Sequence, residues 1–348
     1  MNENHLPLSY NKETSMILKG IAIMMMVVLH LFNRDSLIGL YVPLLKIGDR
    51  PFIQCFAEAC SPVGIFLFLS GYGLYYSFKQ DPKLVCRGRI VKLYIRLWIT
   101  YIIFIPLCAI CLDDGKYPGS ILEALQNLVA YRSSWNYTTW FILPFAFIML
   151  SCAFYFRRMS SAKSVWCIFL ISLVAYYSVI ARIYGWFYAY MLEFRPLLIV
   201  CRYIEQLCPF LFGALICYFS ELRVSFNLNS YITQRILLIL IVMCFTYSTF
   251  KGIPFYPIYS GVLVLLFANL RYGKLTKKIL VFLGHHLVTI WLIHTYFCDV
   301  LLKSFIYSFK YPLFIFLVEM AISTLAAVII DKIFTPVTKK NLLKYFKQ

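Results

Sequence analysis

Lys19-Gly-Ile-Ala-Ile-Met-Met-Met-Val-Val-Leu-His30 is an apolar run with an ionisable group at each end. Ile17, Leu18, Leu31 and Phe32 extend it on both sides, which predicts a membrane-spanning helix over 16–33. The two end residues lie eleven positions apart. At about 100° and 1.5 Å per residue they fall roughly 20° apart around a helix and about 16 Å apart along it, so both face one direction at different depths. A cation near one membrane face is thereby aligned with an imidazole farther in. Ionisable groups inside a span cost free energy unless they meet water, a partner or a substrate, which makes the pair a functional candidate. The plainer alternative has Lys19 snorkelling to the headgroups and His30 serving as a packed histidine.

Composition carries this reading to the whole chain. Of 348 residues 61% are hydrophobic and 14% charged, and mean hydropathy is +0.76, more apolar surface than a soluble globule can bury. An all-α polytopic membrane protein is expected. Apolar runs place about ten helices near 16–33, 52–78, 89–111, 140–157, 164–182, 196–219, 232–250, 254–270, 279–302 and 313–334. The polar start, Met1 to Ser15, lacks the form of a cleaved signal peptide. The expected organisation is a cytoplasmic segment over 1–15, one transmembrane domain over 16–335 and a basic tail over 336–348.

A net charge of +18 resembles that of a nucleic-acid binder, but its placement excludes that class. The cations gather in alternate loops: Lys79, Lys83, Arg87, Arg89 and Lys92; then Arg157, Arg158 and Lys163; then Arg223; then Arg271, Lys274, Lys277 and Lys278. Lys339, Lys340, Lys344 and Lys347 follow in the tail. By the positive-inside rule these loops and both termini are cytoplasmic. Asp113-Asp114 and the stretch Tyr131 to Thr139 then face outside. Twelve cysteines are spread through apolar runs without alternating Cys/His spacing, so no metal is expected. Asn136-Tyr137-Thr138 fits a glycosylation sequon, a pattern of low specificity.

The second span carries Ser61-Pro-Val-Gly-Ile-Phe-Leu-Phe-Leu-Ser-Gly-Tyr-Gly-Leu74, a helix-distorting proline with small residues at Gly64, Ser70, Gly71 and Gly73. These permit close helix packing or a break that lines a cavity. Glu58, an acid in an apolar segment, needs a partner. The third span opens as Arg87-Gly-Arg-Ile-Val-Lys-Leu-Tyr-Ile-Arg96, with Arg89, Lys92 and Arg96 on one helical face. That stripe suits anionic headgroups or the phosphates of a soluble substrate equally well.

Together these residues are similar to those of the family-3 membrane acyltransferases. The resemblance rests on Lys19-x10-His30, on Phe68-Leu-Ser-Gly-Tyr-Gly-Leu74, on Arg89-Ile-Val-Lys-Leu-Tyr94 and on Phe282-Leu-Gly-His-His-Leu-Val-Thr-Ile-Trp-Leu-Ile-His-Thr295. Four matches in the family's order span essentially the whole chain. The resemblance implies transfer of an acyl group, most often acetyl, from cytoplasmic acetyl-CoA or another acyl-CoA to a hydroxyl of a carbohydrate or glycolipid acceptor. It implies no permanently bound cofactor and, for the setting, a bacterial inner membrane with membrane lipid around the enzyme. His30 matches the family's essential histidine, and Lys19 stands where many members have arginine. Arg89 and Lys92 match an Arg-x-x-Arg pair, with lysine giving up the bidentate fork. His285 and Leu287 replace the family's usual lysine and serine, which puts the role of that motif, His294 included, in question.

The chemistry has its own logic. A hydroxyl is a poor nucleophile near neutral pH, so His30 is expected to act as its general base, or to accept the acyl group and relay it. Lys19, Arg89 and Lys92 are expected to hold the coenzyme phosphates. Glu58, Ser70, Tyr72, Trp140, Arg202, Glu205, His294 and Glu319 are the candidates along the substrate path. Among them an Arg202–Glu205 pair can neutralise itself, and Glu319 can orient a histidine or meet a cation. Trp135, Tyr137, Trp140 and Phe141 fit an interfacial aromatic belt or a sugar-stacking surface. A separate extracytoplasmic transferase is a possible partner. The rival classes are a transporter or flippase of a polar or lipid-linked solute, which usually shows inverted repeats where none is found here, a glycan polymerase and a non-catalytic scaffold.

Overall fold

The computed structural model describes residues 11–82, 86–112, 115–220, 235–243 and 256–339. Lys83, Asp113-Asp114, Arg223, Lys340, Lys344, Lys347 and most of the expected 232–250 span lie outside them. The chain forms α1 (Lys12–Phe32), α2 (Phe52–Ala59), α3 (Pro62–Gln80), α4 (Arg87–Leu112), α5 (Ile121–Leu128), α6 (Ile142–Arg158) and α7 (Ala162–Ser178). It continues through α8 (Tyr184–Glu193), α9 (Arg195–Ser220), α10 (Tyr256–Asn269), α11 (Lys274–Thr295), α12 (Lys303–Tyr307) and α13 (Pro312–Lys339). The all-α expectation needs one small amendment, an antiparallel pair of two-residue strands, Lys46–Ile47 and Arg50–Pro51, in the loop after α1.

Among the described residues seven helical stretches are long and apolar enough to cross a membrane: Lys12–Phe32, Phe52–Gln80, Arg87–Leu112, Tyr137–Arg158, Arg195–Ser220, Lys274–Leu301 and Pro312–Thr335. Ala162–Ser178 and Tyr256–Asn269 are shorter apolar helices. The protein is therefore a predominantly helical, multi-pass membrane protein. The second span is not continuous. Proline lacks an N–H and disfavours helical geometry in the residue before it, so α2 stops at Ala59 and Pro62 opens α3 as a first-turn residue. The fifth expected span ends in a π turn, Val179–Ile183, that joins α7 to α8.

Two crossings position the site. α1 packs along α11, and α3 along α9. In the first, a Cβ on Gly20 would lie 2.1 Å from the Leu280 carbonyl oxygen, and one on Gly284 would lie 2.2 Å from that of Met16. In the second, Gly71 meets the backbone of Phe210, and Gly213 that of Phe68, in the same way. Only residues without a side chain let backbones come this close. Association inside a membrane lacks the hydrophobic drive of water, so such packing is what fixes the helices against one another. Gly20 and Gly284 thus set the register between the helix that carries His30 and the one that carries His294.

Candidate functional site

α1 begins at Lys12, capped by the Asn11 side chain on the Thr14 amide, so His30 falls in its last turn rather than at mid-span. It lines a chamber of about 280 Å³ with Asn33, Arg34, Tyr137, Thr138 and Trp140. Lys19, farther back on the same helix, lines a second chamber of about 470 Å³ with Arg89, Lys92, Arg96 and Ser70. Phe66, Phe141, Val288 and Trp291 line both. The helical phase of Lys19 and His30 has thus placed them on the two sides of one apolar wall.

His30 is partnered across the fold. Its Nδ1 is 2.6 Å from Nε2 of His294, a fully buried residue at the end of α11. His294 Nδ1 lies 3.1 Å and 2.9 Å from the carbonyl oxygens of Ile290 and Trp291. Two acceptors there require that Nδ1 carry the proton, which leaves His294 Nε2 as the acceptor and His30 Nδ1 as the donor. His30 Nε2 then keeps its lone pair and is the nitrogen left for chemistry. The second imidazole acts as an orienting group, the role in which a carboxylate often holds a catalytic histidine.

Beyond α11 the chain makes a second π turn, Tyr296–Leu301, that presents Asp299. Asp299 pairs with Arg34 and accepts a hydrogen bond of 2.8 Å from the Tyr137 hydroxyl. Arg34 also stands 5.4 Å from the centre of the Tyr137 ring, whose edge meets the His30 ring at 5.3 Å between centroids. Burial opposes the Arg34 charge, but Tyr137 and Asp299 outweigh it and hold the guanidinium above its ordinary pKa. Its Nε is buried and has no hydrogen-bond partner among the described residues.

Asn136 braces this corner and is no glycosylation acceptor. It is 3% exposed, donates to the Leu292 carbonyl at 2.7 Å, and accepts from the Thr138 and Thr295 hydroxyls. Its side chain ties the turn before α6 to α11 just ahead of His294.

In the second chamber Lys19, Arg89 and Lys92 have no acidic side chain within ion-pair distance among the described residues, whereas Arg96 does. Arg96 lies 3.4 Å from Asp331 and 4.1 Å from the centre of the Phe334 ring. Asp331 is also 2.6 Å from Nδ1 of His286 and accepts from Thr289 at 2.5 Å. The basic stripe read along α4 therefore divides into two available cations and one that locks α4 to α11 and α13.

The remaining candidates fall into three groups. Glu58 has its partner in Arg50, which it holds charged through their hydrogen bond above all. Glu58, Trp140 and Glu205 line a third chamber, of about 290 Å³. Glu205 accepts from the Tyr184 hydroxyl at 2.9 Å, while Arg202 stands over Trp140 at 5.0 Å from the ring centre; the two charges still attract each other, each with a further contact of its own. Tyr72 is buried in the core and Glu319 accepts from Ser323 at 2.6 Å; neither lines these three chambers. Arg34, Asp299 and Asn136 were missed in the sequence. Arg34 lies just beyond the end of α1, where a charged residue carries no signal of its own. Asp299 falls inside the 279–302 span and carried the same signal as Glu58, an acid in an apolar segment; Asn136 is legible only through its partners.

The family model described as an acyltransferase domain matches residues 16–332, nearly the whole chain. No curated protein and no solved structure matches it.

Proposed function

The chain belongs to the family-3 acyltransferases and transfers an acyl group other than an aminoacyl group; on that premise we propose that it is an O-acetyltransferase using cytoplasmic acetyl-CoA. The acceptor is a hydroxyl of a cell-surface carbohydrate or its lipid-linked precursor. The observation that carries this reading is the pair of chambers against one wall, with Lys19, Arg89 and Lys92 on one side and an oriented imidazole on the other. Several phosphate charges on the donor match Lys19, Arg89 and Lys92. The rise of about 16 Å from Lys19 to His30 is of the order an extended pantetheine arm spans. To deliver its acyl group, the arm has to pass between Phe66, Phe141, Val288 and Trp291.

In this mechanism His30 Nε2 takes the proton of the acceptor hydroxyl as the oxygen attacks the thioester carbonyl. The oxyanion that forms meets the unpartnered Nε–H of Arg34, whose orientation is fixed by Asp299. Collapse breaks the carbon–sulfur bond, and the thiolate receives the proton from His30. An acyl-histidine relay through the same nitrogen uses the same residues. On this reading the donor chamber and both termini face the cytoplasm in a ten-helix bundle of a bacterial inner membrane, which the clustering of cations in alternate loops supports.

Family membership favours acyl transfer over the transporter alternative, for which nothing in the chain speaks. The test is transfer of radiolabelled acetyl from acetyl-CoA to the glycan fraction of membranes that contain the protein. His30→Ala is expected to abolish it while the variant still inserts and purifies as wild type does. Near-normal turnover by His30→Ala would remove His30 from the mechanism.

A further inference from the structure

The third chamber adjoins that of His30, for Leu29, Asn33, Pro62, Val63 and Trp140 line both. Most of its polar groups are already engaged. Ser61 and Ser260 bond each other at 2.7 Å, Glu58 holds Arg50, and Glu205 accepts from Tyr184. Gln206 is the exception. It is 1% exposed, lines the chamber, and has both amide atoms, Oε1 and Nε2, without a partner among the described residues. Asn33 Oδ1, at the junction with the His30 chamber, is likewise buried and unpartnered there.

A buried amide left unpaired is costly, and such groups mark places where a ligand completes the bonding. Here the missing partners are one donor and one acceptor at Gln206 and a donor at Asn33. A hydroxyl supplies both functions from one atom. The charge of the chamber narrows the choice. Glu58 and Glu205 line it, and no lysine, arginine or histidine does so among the described residues. A carboxylate-bearing ligand would meet Glu205 and a Glu58 already balanced by Arg50, with no cation lining the chamber to receive it among the described residues, whereas hydroxyls donate to carboxylates readily.

We infer that this chamber binds the non-reacting part of the acceptor, and that the acceptor is an uncharged, hydroxyl-rich sugar unit rather than an acidic one. Its ring hydroxyls pair with the Gln206 amide and with Glu205, and the hydroxyl to be acylated reaches past Asn33 and Trp140 to His30 Nε2. At about 290 Å³ the space is at the small end of ligand sites and suits one sugar unit. Gln206 is on this reading a specificity-determining residue. The inference rests on the acyl-transfer reading proposed above.

The test uses the full chain in lipid nanodiscs, with acetyl-CoA as donor and, as acceptors, a panel of alkyl hexosides with the matching alkyl hexuronides. Binding of acetyl-CoA is measured first; a folded protein that does not bind it overturns the acyl-transfer reading, and the inference with it. Given binding, the expected result is acetylation of at least one neutral hexoside and none of its uronide. Gln206→Met should raise the KM for that hexoside about tenfold and leave the KM for acetyl-CoA unchanged. Gln206→Asn, which keeps an amide but withdraws it, should raise the same KM and covers the case in which the methionine variant does not fold. Glu205→Gln should relax the exclusion of the uronide. An unchanged acceptor KM in the folded Gln206 variants would overturn the inference while leaving acyl transfer standing. So would equal use of uronide by the wild type, or acetyl-CoA binding with no hexoside acetylated.

Discussion

Replacing His294 with leucine tests the histidine pair where its logic is most exposed. The substitution removes the acceptor 2.6 Å from His30 Nδ1 and leaves the volume largely filled. The His30 proton then has no partner at Nδ1, and the ring is free to carry it on Nε2 instead, which blocks the base. An unpaired buried donor costs roughly 1–3 kcal/mol. If that cost falls on the transition state, turnover drops roughly 5- to 150-fold, at about 1.4 kcal/mol per tenfold. His294 lines none of the three chambers, so the KM for acetyl-CoA should stay within about twofold of wild type, as expected for loss of a transition-state interaction. Glutamine at the same position offers an amide oxygen to Nδ1 and should recover part of kcat. The assay is steady-state release of free coenzyme A by purified protein, with thermal unfolding as a check on folding. A leucine variant that folds and keeps kcat within about twofold would refute the orienting role of His294, as would an effect confined to the KM for acetyl-CoA.

Three further outcomes are expected. Arg89→Ala and Lys92→Ala should each raise the KM for acetyl-CoA more than they lower kcat, because phosphate is held alike in ground and transition states; Lys92→Arg should bind at least as well as wild type, and a pure kcat loss in the alanine variants would contradict the donor-site assignment. Gly20→Val forces a side chain against the Leu280 carbonyl and should destabilise the protein by about 1–3 kcal/mol; it should lower kcat as His30 and His294 lose register, whereas Gly73→Ala, with open space around it, should leave thermal unfolding unchanged. Asp299→Ala removes both the Arg34 ion pair and the Tyr137 hydrogen bond and should reduce kcat about tenfold or more, since hydrogen bonds to charged groups are worth about 1.5–3 kcal/mol; Asp299→Asn, which keeps an acceptor for Tyr137, should do less harm, and equal losses would argue against the hydrogen bond.

What could be read from the sequence follows the distance over which its signals act. Helical phase is local, so the alignment of Lys19 with His30 and the stripe of Arg89, Lys92 and Arg96 were visible from spacing alone. Pro62 announced a break in the second span for the same reason. The partner of His30 lies 264 residues away, and the choice of His294 depends on the close approach of α1 and α11 at Gly20 and Gly284. Spacing on one helix says nothing of that. Spacing gives only part of the pairing of charged residues: Arg202 and Glu205 sit a turn apart and attract each other, yet one also stands over Trp140 and the other accepts from Tyr184. Arg96 looked like its neighbours on the stripe until Asp331, on another helix, claimed it. Asn136 fitted a surface sequon, but its amide is spent inside on the Leu292 carbonyl.

The central claim is a donor site of cations separated by an apolar wall from an oriented base. The measurement that meets it most directly is calorimetric binding of acetyl-CoA to the purified protein, run beside turnover for wild type, Arg89→Ala and His30→Ala. The expected result is binding that Arg89→Ala weakens and His30→Ala largely spares, with turnover lost in His30→Ala. Absence of binding to folded wild type, or equal weakening by both substitutions, would contradict the separation of donor site and base.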